Sequence, residues 1–346
     1  MNALAPERDR CADEEALAGF LLRPEVEHVS VEARLTAFAC AELNALDHYL
    51  TSHAGAGWIE AKSLHSLSIR EDSWRLMWPA RVAARFLLSE KERGNAAWDG
   101  VLRACTTPLK LHPFELPHAG IRHVVTAGGF LDLELTRSYH PSIAGSRLSC
   151  EEPGSERIAE LVARYRVALA LLERHDKRGS SVFAGSVSAI VPLQVAPPLE
   201  PGKCVSLAVA PAPGAVFLTM IPIILLSETL LHEASHCRLS AAESLGKLWL
   251  SSEVRVASPL RPDPRPINGV YHQAYVLLWL TRYYRALREA QDEPVVERNR
   301  RQIDKHLAEL TAGFDAAIAT LRSNRSQLTP LGAWVLEEMA STGGAS

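Results

Sequence analysis

The sequence predicts a mainly α-helical protein with a small β component, in which one helical region carries an H-E-x-x-H metal helix. Three observations predict it. Residues 221–246 form one long apolar segment in which His232 and His236 stand four apart, with Glu233 between them. Most other segments place apolar residues at a spacing near 3.6, the period of a helix with one buried face. Only residues 101–220 hold short Val-rich runs broken by Gly and Pro, the mark of strands and turns.

The elements follow in order. Residues 1–100 read as an N-terminal helical region, with helices over 12–22, 31–52 and 73–92 and a packed face at Trp74, Met77 and Trp78. His48, His53 and His65 lack metal-type spacing and read as surface or capping residues. Residues 101–220 read as a mixed α/β region. There 121–126 is a strand centred on Val124 and Val125, Gly128-Gly129 a turn, and 130–135 a second strand. Residues 155–177 read as one helix, and 180–195 with 204–220 as a small sheet joined through Pro197, Pro198 and Pro201. Residues 221–346 read as the helical metal-site region, forming one compact fold with the middle region. Beyond the motif helix this region holds a loop at 251–268 and helices at 269–290, 297–323 and 330–339, with Asn268 as the N-cap of the first.

Composition excludes several function classes. A hydrophobic share of 47% and a charged share of 22% are those of an ordinary globular protein. A net charge of -3 gives no electrostatic ground for a nucleic-acid or anionic-membrane partner. The six cysteines are scattered, with no C-x-x-C pair, which argues against a zinc ribbon or disulfide scaffold and fits a reducing cytoplasm. The N-terminal residues mix acids and bases without an apolar core, so they do not read as a signal peptide. No uncharged apolar run reaches membrane-spanning length.

The chemistry concentrates at the motif. Histidines at i and i+4 lie one above the other on a helix, so both imidazoles can reach one metal ion. Glu233 points in a neighbouring direction, where it can act as a base or orient a ligand. The surrounding leucines put this helix in the interior, with Pro222 at its first turn and Gly246 at its end. A third protein ligand is expected, and His272 is the first choice. It falls in the first turn of the next helix, on a face shared with Val276, Trp279 and Tyr283. Glu253 is the rival, because zinc peptidases use a downstream carboxylate. Glu243 lies on the motif helix but two turns further on. Between the two ligand helices runs Ser258-Pro259-Leu260-Arg261-Pro262-Asp263-Pro264-Arg265-Pro266. Its prolines preset the path of the loop, and Arg261 or Arg265 held on it suits two-pronged carboxylate binding.

Three blocks together resemble a known family. They are Ser227-Glu228-Thr229-Leu230-Leu231-His232-Glu233-Ala234-Ser235-His236, the Pro-Arg loop just quoted, and Gly269-Val270-Tyr271-His272-Gln273-Ala274-Tyr275-Val276. Their order and spacing are similar to the HEXXH-motif peptide-modification family. That family accompanies ribosomally made, post-translationally modified peptides and is linked to iron(II)- and 2-oxoglutarate-dependent hydroxylation of peptide side chains at the β-carbon. The likeness is dense over residues 207–280 and faint elsewhere, and Leu260 stands where the pattern has a tryptophan. The resemblance implies Fe(II) at His232, His236 and His272, 2-oxoglutarate held by Arg261 or Arg265, and a precursor peptide as substrate. Glu233 would handle protons, support a ligand, or be one. Two other readings compete. One is a zinc-dependent metallopeptidase with Glu233 as general base and Glu253 or His272 as third ligand. The other is a non-catalytic peptide-binding protein with a vestigial site.

Overall fold

Long apolar helices, a six-stranded sheet and a two-stranded hairpin set the architecture. The structure is a computed structural model and describes residues 5–53, 75, 110–117, 120–126, 147–151, 153–196, 204–208, 214–258, 260–290 and 293–344. These residues are mostly helical, with a smaller sheet component. They belong to two compact units, each assembled from separate stretches. One comprises Met1–Val31, Ala168–Gly185 and Leu230–Ser346, the other Glu32–Val167 and Ser186–Thr229. The helices predicted at 73–92, the face at Trp74, Met77 and Trp78, His65, the turn at Gly128-Gly129, the strand at 130–135 and the loop prolines 197, 198 and 201 lie outside the described residues.

The second unit holds the sheet. β1 (Lys110–Leu116) pairs antiparallel with β2 (Gly120–Thr126), placing Val124 opposite His112. β4 (Ala189–Ala196) runs parallel to β2 and to β6 (Ala215–Leu218), while β3 (Arg147–Cys150) and β5 (Ser206–Leu207) add antiparallel neighbours. Ile190, Val191, Val216 and Phe217 are all buried, in keeping with the apolar first half of β4 and the wholly apolar β6. Gly214 opens β6 at φ 108, a conformation that disfavours side chains, and its carbonyl accepts from the N–H of Ser188 at 2.8 Å and of Ala189 at 3.1 Å.

The segment 180–195 departs from the expected sheet. Helix α3 (Ser155–His175) stops two residues early, α4 (Lys177–Ser186) follows directly, and only then does β4 begin. The break falls at Asp176, whose carbonyl accepts from Ser180 N–H at 2.8 Å and so starts a new helix. A Cβ on Gly179 would come within 2.7 Å of Asp176 Oδ2, so glycine is what lets that carboxylate sit against the first turn of α4. The Val, Ser and Ala of this stretch suit either state, and the new start decides for helix.

The first unit contains α1 (Ala5–Leu22), α4, and the greater part of α5 (Ile223–Glu243), followed by a hairpin and three helices. These are α6 (Ile267–Glu289), α7 (Pro294–Ser323) and α8 (Pro330–Gly344). Helix α2 (Val29–His53) enters the second unit. α6 is the axis of the first unit and is apolar nearly all round, with Tyr271, Tyr275, Trp279 and Tyr283 fully buried. Its tyrosines keep their polar ends satisfied. The Tyr275 hydroxyl donates to Leu21 O at 2.7 Å and the Tyr271 hydroxyl to Gly332 O at 2.9 Å. α7 packs along α6 through Ile303, Leu307, Leu310, Phe314, Ala317 and Leu321, one stripe at helical spacing. Pro294 at its first position and Glu297 in its first turn suit a helix start.

The loop between α5 and α6 is a β-hairpin. β7 (Arg255–Val256) pairs antiparallel with β8 (Arg265–Pro266), and Ile267 N–H then bonds Val254 O at 2.8 Å. That bond carries the chain straight from strand into helix. α6 therefore starts at Ile267 with Pro266 in the cap position, and Asn268 lies in the first turn instead of capping it. No helix among the described residues is long and apolar enough to cross a membrane.

Candidate functional site

The site is built from one stripe of α5 and one residue of α6. α5 leaves β6 through Pro222, whose carbonyl accepts from Leu226 N–H at 2.8 Å, and closes where Gly246 N–H bonds Ala242 O at 3.0 Å. Leu226, Leu230, Leu231, Ala234, Cys237, Leu239 and Ala242 bury the helix on several sides. From Leu230 to Glu243 only four positions keep partial exposure, namely His232, His236, Ser240 and Glu243. They follow the helical repeat and form one line. α6 shows the same economy. Between Val270 and Thr281 only His272 is less than buried.

The structure brings His236, His272 and Glu243 together. His236 Nδ1 lies 3.0 Å from His272 Nδ1, and the two rings stack at a 25° interplanar angle with centroids 5.2 Å apart. His272 Nε2 lies 2.6 Å from Glu243 Oε1. His232 stands next to this group, its ring centroid 5.0 Å from that of His236, and it is the most open member with 40% of its side chain exposed. Glu233 lies beside His232. It is buried, and its Oε1 is 3.9 Å from His232 Nε2. Burial holds the His236 imidazole well below the usual histidine range, and His232, His272 and Arg265 press the same way. A neutral imidazole keeps the lone pair that a metal needs.

His272 sits in the second turn of α6, since the helix begins at Ile267. Glu253, its rival as third ligand, lies exposed before β7, with its N–H bonded to Ser251 Oγ at 3.2 Å. Arg261 is exposed near the hairpin tip, whereas Arg265 is half-buried at the hairpin base. Gly269 and His272 lie three residues apart on α6 and share a line, while Arg265 precedes the helix in β8. A Cβ on Gly269 would lie 3.6 Å from the Arg265 guanidinium carbon, which shows the cation lying along the start of α6. Burial lowers the Arg265 pKa and Arg261 lowers it further, with only Asp263 opposing. Among the described residues no carboxylate forms a salt bridge to Arg265. Ser258 Oγ, Asn268 Oδ1 and both polar atoms of Gln273 are also buried at this end of α6 without hydrogen-bond partners among the described residues.

One contributor escaped the sequence reading and another was ranked low. Trp249 lies against His272 with ring centroids 6.1 Å apart and against Tyr271 at 5.7 Å. An isolated bridge from Trp249 to Leu328 and the bond from Thr329 Oγ1 to Lys247 O at 2.7 Å fix its segment. It places an aromatic wall at the site, which Leu260 does not. Glu243, set aside for its distance along α5, joins through His272.

No family model matches this chain, and no curated protein is similar to it. The site's chemistry is therefore read from its own residues. Among those described, no group of three His, Cys, Asp or Glu side chains is arranged to hold a metal ion. The cluster is a hydrogen-bonded one, in which a proton lies between His236 and His272. Its donor set nonetheless fits a divalent transition metal, being imidazoles on adjoining helices. The facing nitrogens of His236 and His272 lie 3.0 Å apart, close enough that both imidazoles could hold one ion in place of the shared proton.

Proposed function

We propose that this protein is an Fe(II)- and 2-oxoglutarate-dependent oxygenase that hydroxylates side chains of a ribosomally synthesised precursor peptide at the β-carbon. The observation that carries the reading is Arg265. It is a half-buried cation whose guanidinium lies against Gly269, three residues before His272, with no salt-bridge partner among the described residues. Among the described residues only Asp263 opposes its charge, and it forms no salt bridge with Arg265, so the guanidinium is open to a bound anion. The far carboxylate of 2-oxoglutarate would supply one, through two parallel hydrogen bonds from the guanidinium.

In this reading His232, His236 and His272 hold the metal, and Arg265 holds the far end of the co-substrate. Trp249 closes one side of the His272 ring, and the buried leucines of α5 keep water from behind the ligands. Bound iron supplies the dioxygen chemistry that amino-acid side chains lack. The balance is one C–H, one O2 and one 2-oxoglutarate converted to one C–OH, one succinate and one CO2. The unpartnered Gln273 amide and Asn268 carbonyl are groups suited to peptide or co-substrate hydrogen bonds.

The zinc-dependent metallopeptidase draws on the same two histidines, with Glu233 as base. Its third ligand would be His272 or Glu253, of which Glu253 lies exposed before β7. The experiment that separates the two loads the protein with iron(II) or zinc and offers a peptide panel covering every side-chain type. Iron with 2-oxoglutarate should add one oxygen atom to a peptide and release one succinate. Cleavage of a peptide by the zinc form, with no 2-oxoglutarate dependence, would replace this reading by the hydrolase.

A further inference from the structure

We infer that Glu243 is the positioning residue of the site: it fixes the tautomer and ring orientation of His272, so that the proposed metal is held by three imidazoles backed by an outer carboxylate, not by two histidines and a carboxylate. The inference rests on the metal reading above and adds the residue that orients its third ligand.

The argument starts from distance. Glu243 is seven residues beyond His236 on α5, which places it about 10.5 Å further along the axis. A carboxylate that far along does not share an ion with the His232 and His236 rings. The His272 ring spans the interval, meeting His236 through Nδ1 at 3.0 Å and Glu243 through Nε2 at 2.6 Å. Glu243 thus belongs to the site through His272.

Hydrogen-bond chemistry then fixes the protons. An ionised carboxylate only accepts, so the His272 nitrogen facing it, Nε2, carries a hydrogen. In neutral His272 the other nitrogen, Nδ1, is left as an acceptor. His236 Nδ1, which faces it, must be the donor of that contact. The order runs from the Glu243 carboxylate to His272 Nε2–H, and from His272 Nδ1 to His236 Nδ1–H. Reversal would set two acceptors against each other at the carboxylate. A metal ion that displaces the shared proton finds the His272 lone pair already aimed at the His236 side.

Packing keeps the ring in place. Trp249 lies 6.1 Å from His272 at an interplanar angle of 50°. Tyr271, its neighbour on α6, is anchored by its hydroxyl to Gly332 O. With Glu243 and His272 both partly shielded from water, their short contact is of the strong, charge-assisted kind. Outer carboxylates of this type change metal affinity by about 10- to 100-fold.

The test compares wild type with Glu243→Gln and Glu243→Ala. Metal-free protein is examined by nitrogen-detected NMR of the histidine rings, and metal affinity by competing Co(II) and Zn(II) against a chromophoric chelator. Wild type should show His272 as the Nε2–H tautomer. Glu243→Ala should lose that signature and about 10- to 100-fold in affinity, while keeping the same number of histidine ligands. Glu243→Gln retains an acceptor oxygen but is a poor metal ligand, so it should keep the tautomer and most of the affinity. Equal loss in the Gln and Ala variants, with one oxygen ligand missing from the metal, would overturn the inference by making Glu243 a direct ligand. Wild-type affinity and tautomer in Glu243→Ala would overturn it outright, with the metal reading left standing. Wild-type protein that binds neither metal would end the metal reading and the inference together.

Discussion

Replacing Arg265 should separate co-substrate binding from metal binding, and the structure allows the effect to be ranked against Arg261. Loss of one partner of a buried, hydrogen-bonded charge pair costs about 2–5 kcal/mol. Arg265 is half-buried rather than fully enclosed, so the lower part of that range applies, about 2–3 kcal/mol. At about 1.4 kcal/mol per decade this is roughly a 30- to 150-fold weaker 2-oxoglutarate affinity. Arg261 is exposed near the hairpin tip, where an ion pair is worth at most about 1 kcal/mol, or about fivefold. Arg265→Lys keeps the charge but loses the planar fork, and should fall between wild type and Arg265→Ala. The assay is anaerobic calorimetric titration of 2-oxoglutarate into iron(II)-loaded protein, with metal content measured on the same samples. The reasoning fails if Arg265→Ala binds the co-substrate as wild type does, or if Arg261→Ala is the more damaging change.

Three further outcomes are expected. His232→Ala and His236→Ala should each abolish stoichiometric metal binding while thermal unfolding stays cooperative, because both lie on the one partly exposed stripe of α5; full metal content in both would remove the site. His272→Ala should weaken metal binding far more than Glu253→Ala, since only His272 contacts His236; chelator competition giving the opposite order would favour the zinc peptidase. Arg282→Ala should destabilise the fold by about 2–3 kcal/mol, because it leaves the Asp176 carboxylate, 1% exposed and bonded to Arg282 Nε at 2.9 Å, buried without its cation. A change within 0.5 kcal/mol in denaturant unfolding, on the order of an ordinary surface substitution, would contradict that account.

The sequence made the local features legible and hid those that depend on tertiary register. The i, i+4 pair and the apolar run around it placed His232 and His236 on a buried helix, and the partly exposed line 232, 236, 240, 243 follows from that period alone. α7 was legible for the same reason, through one strong apolar stripe. Where α4 begins was not, since Val, Ser and Ala suit helix or strand and the outcome turned on Asp176 and Gly179. The start of α6 was missed by two residues because the bond from Ile267 to Val254 comes from the other arm of the hairpin. Trp249 and Glu243 were hidden more deeply. Each reaches His272 across a tertiary contact, and distance along one helix says nothing of a ring that enters from another.

The most direct test of the central claim is whether wild-type protein loaded with iron(II) binds 2-oxoglutarate. Anaerobic titration should give one saturable site per metal-loaded chain that is lost when the metal is removed. No saturable binding to a protein shown to carry its metal would contradict the oxygenase account and leave the zinc hydrolase as the better explanation of the histidine pair.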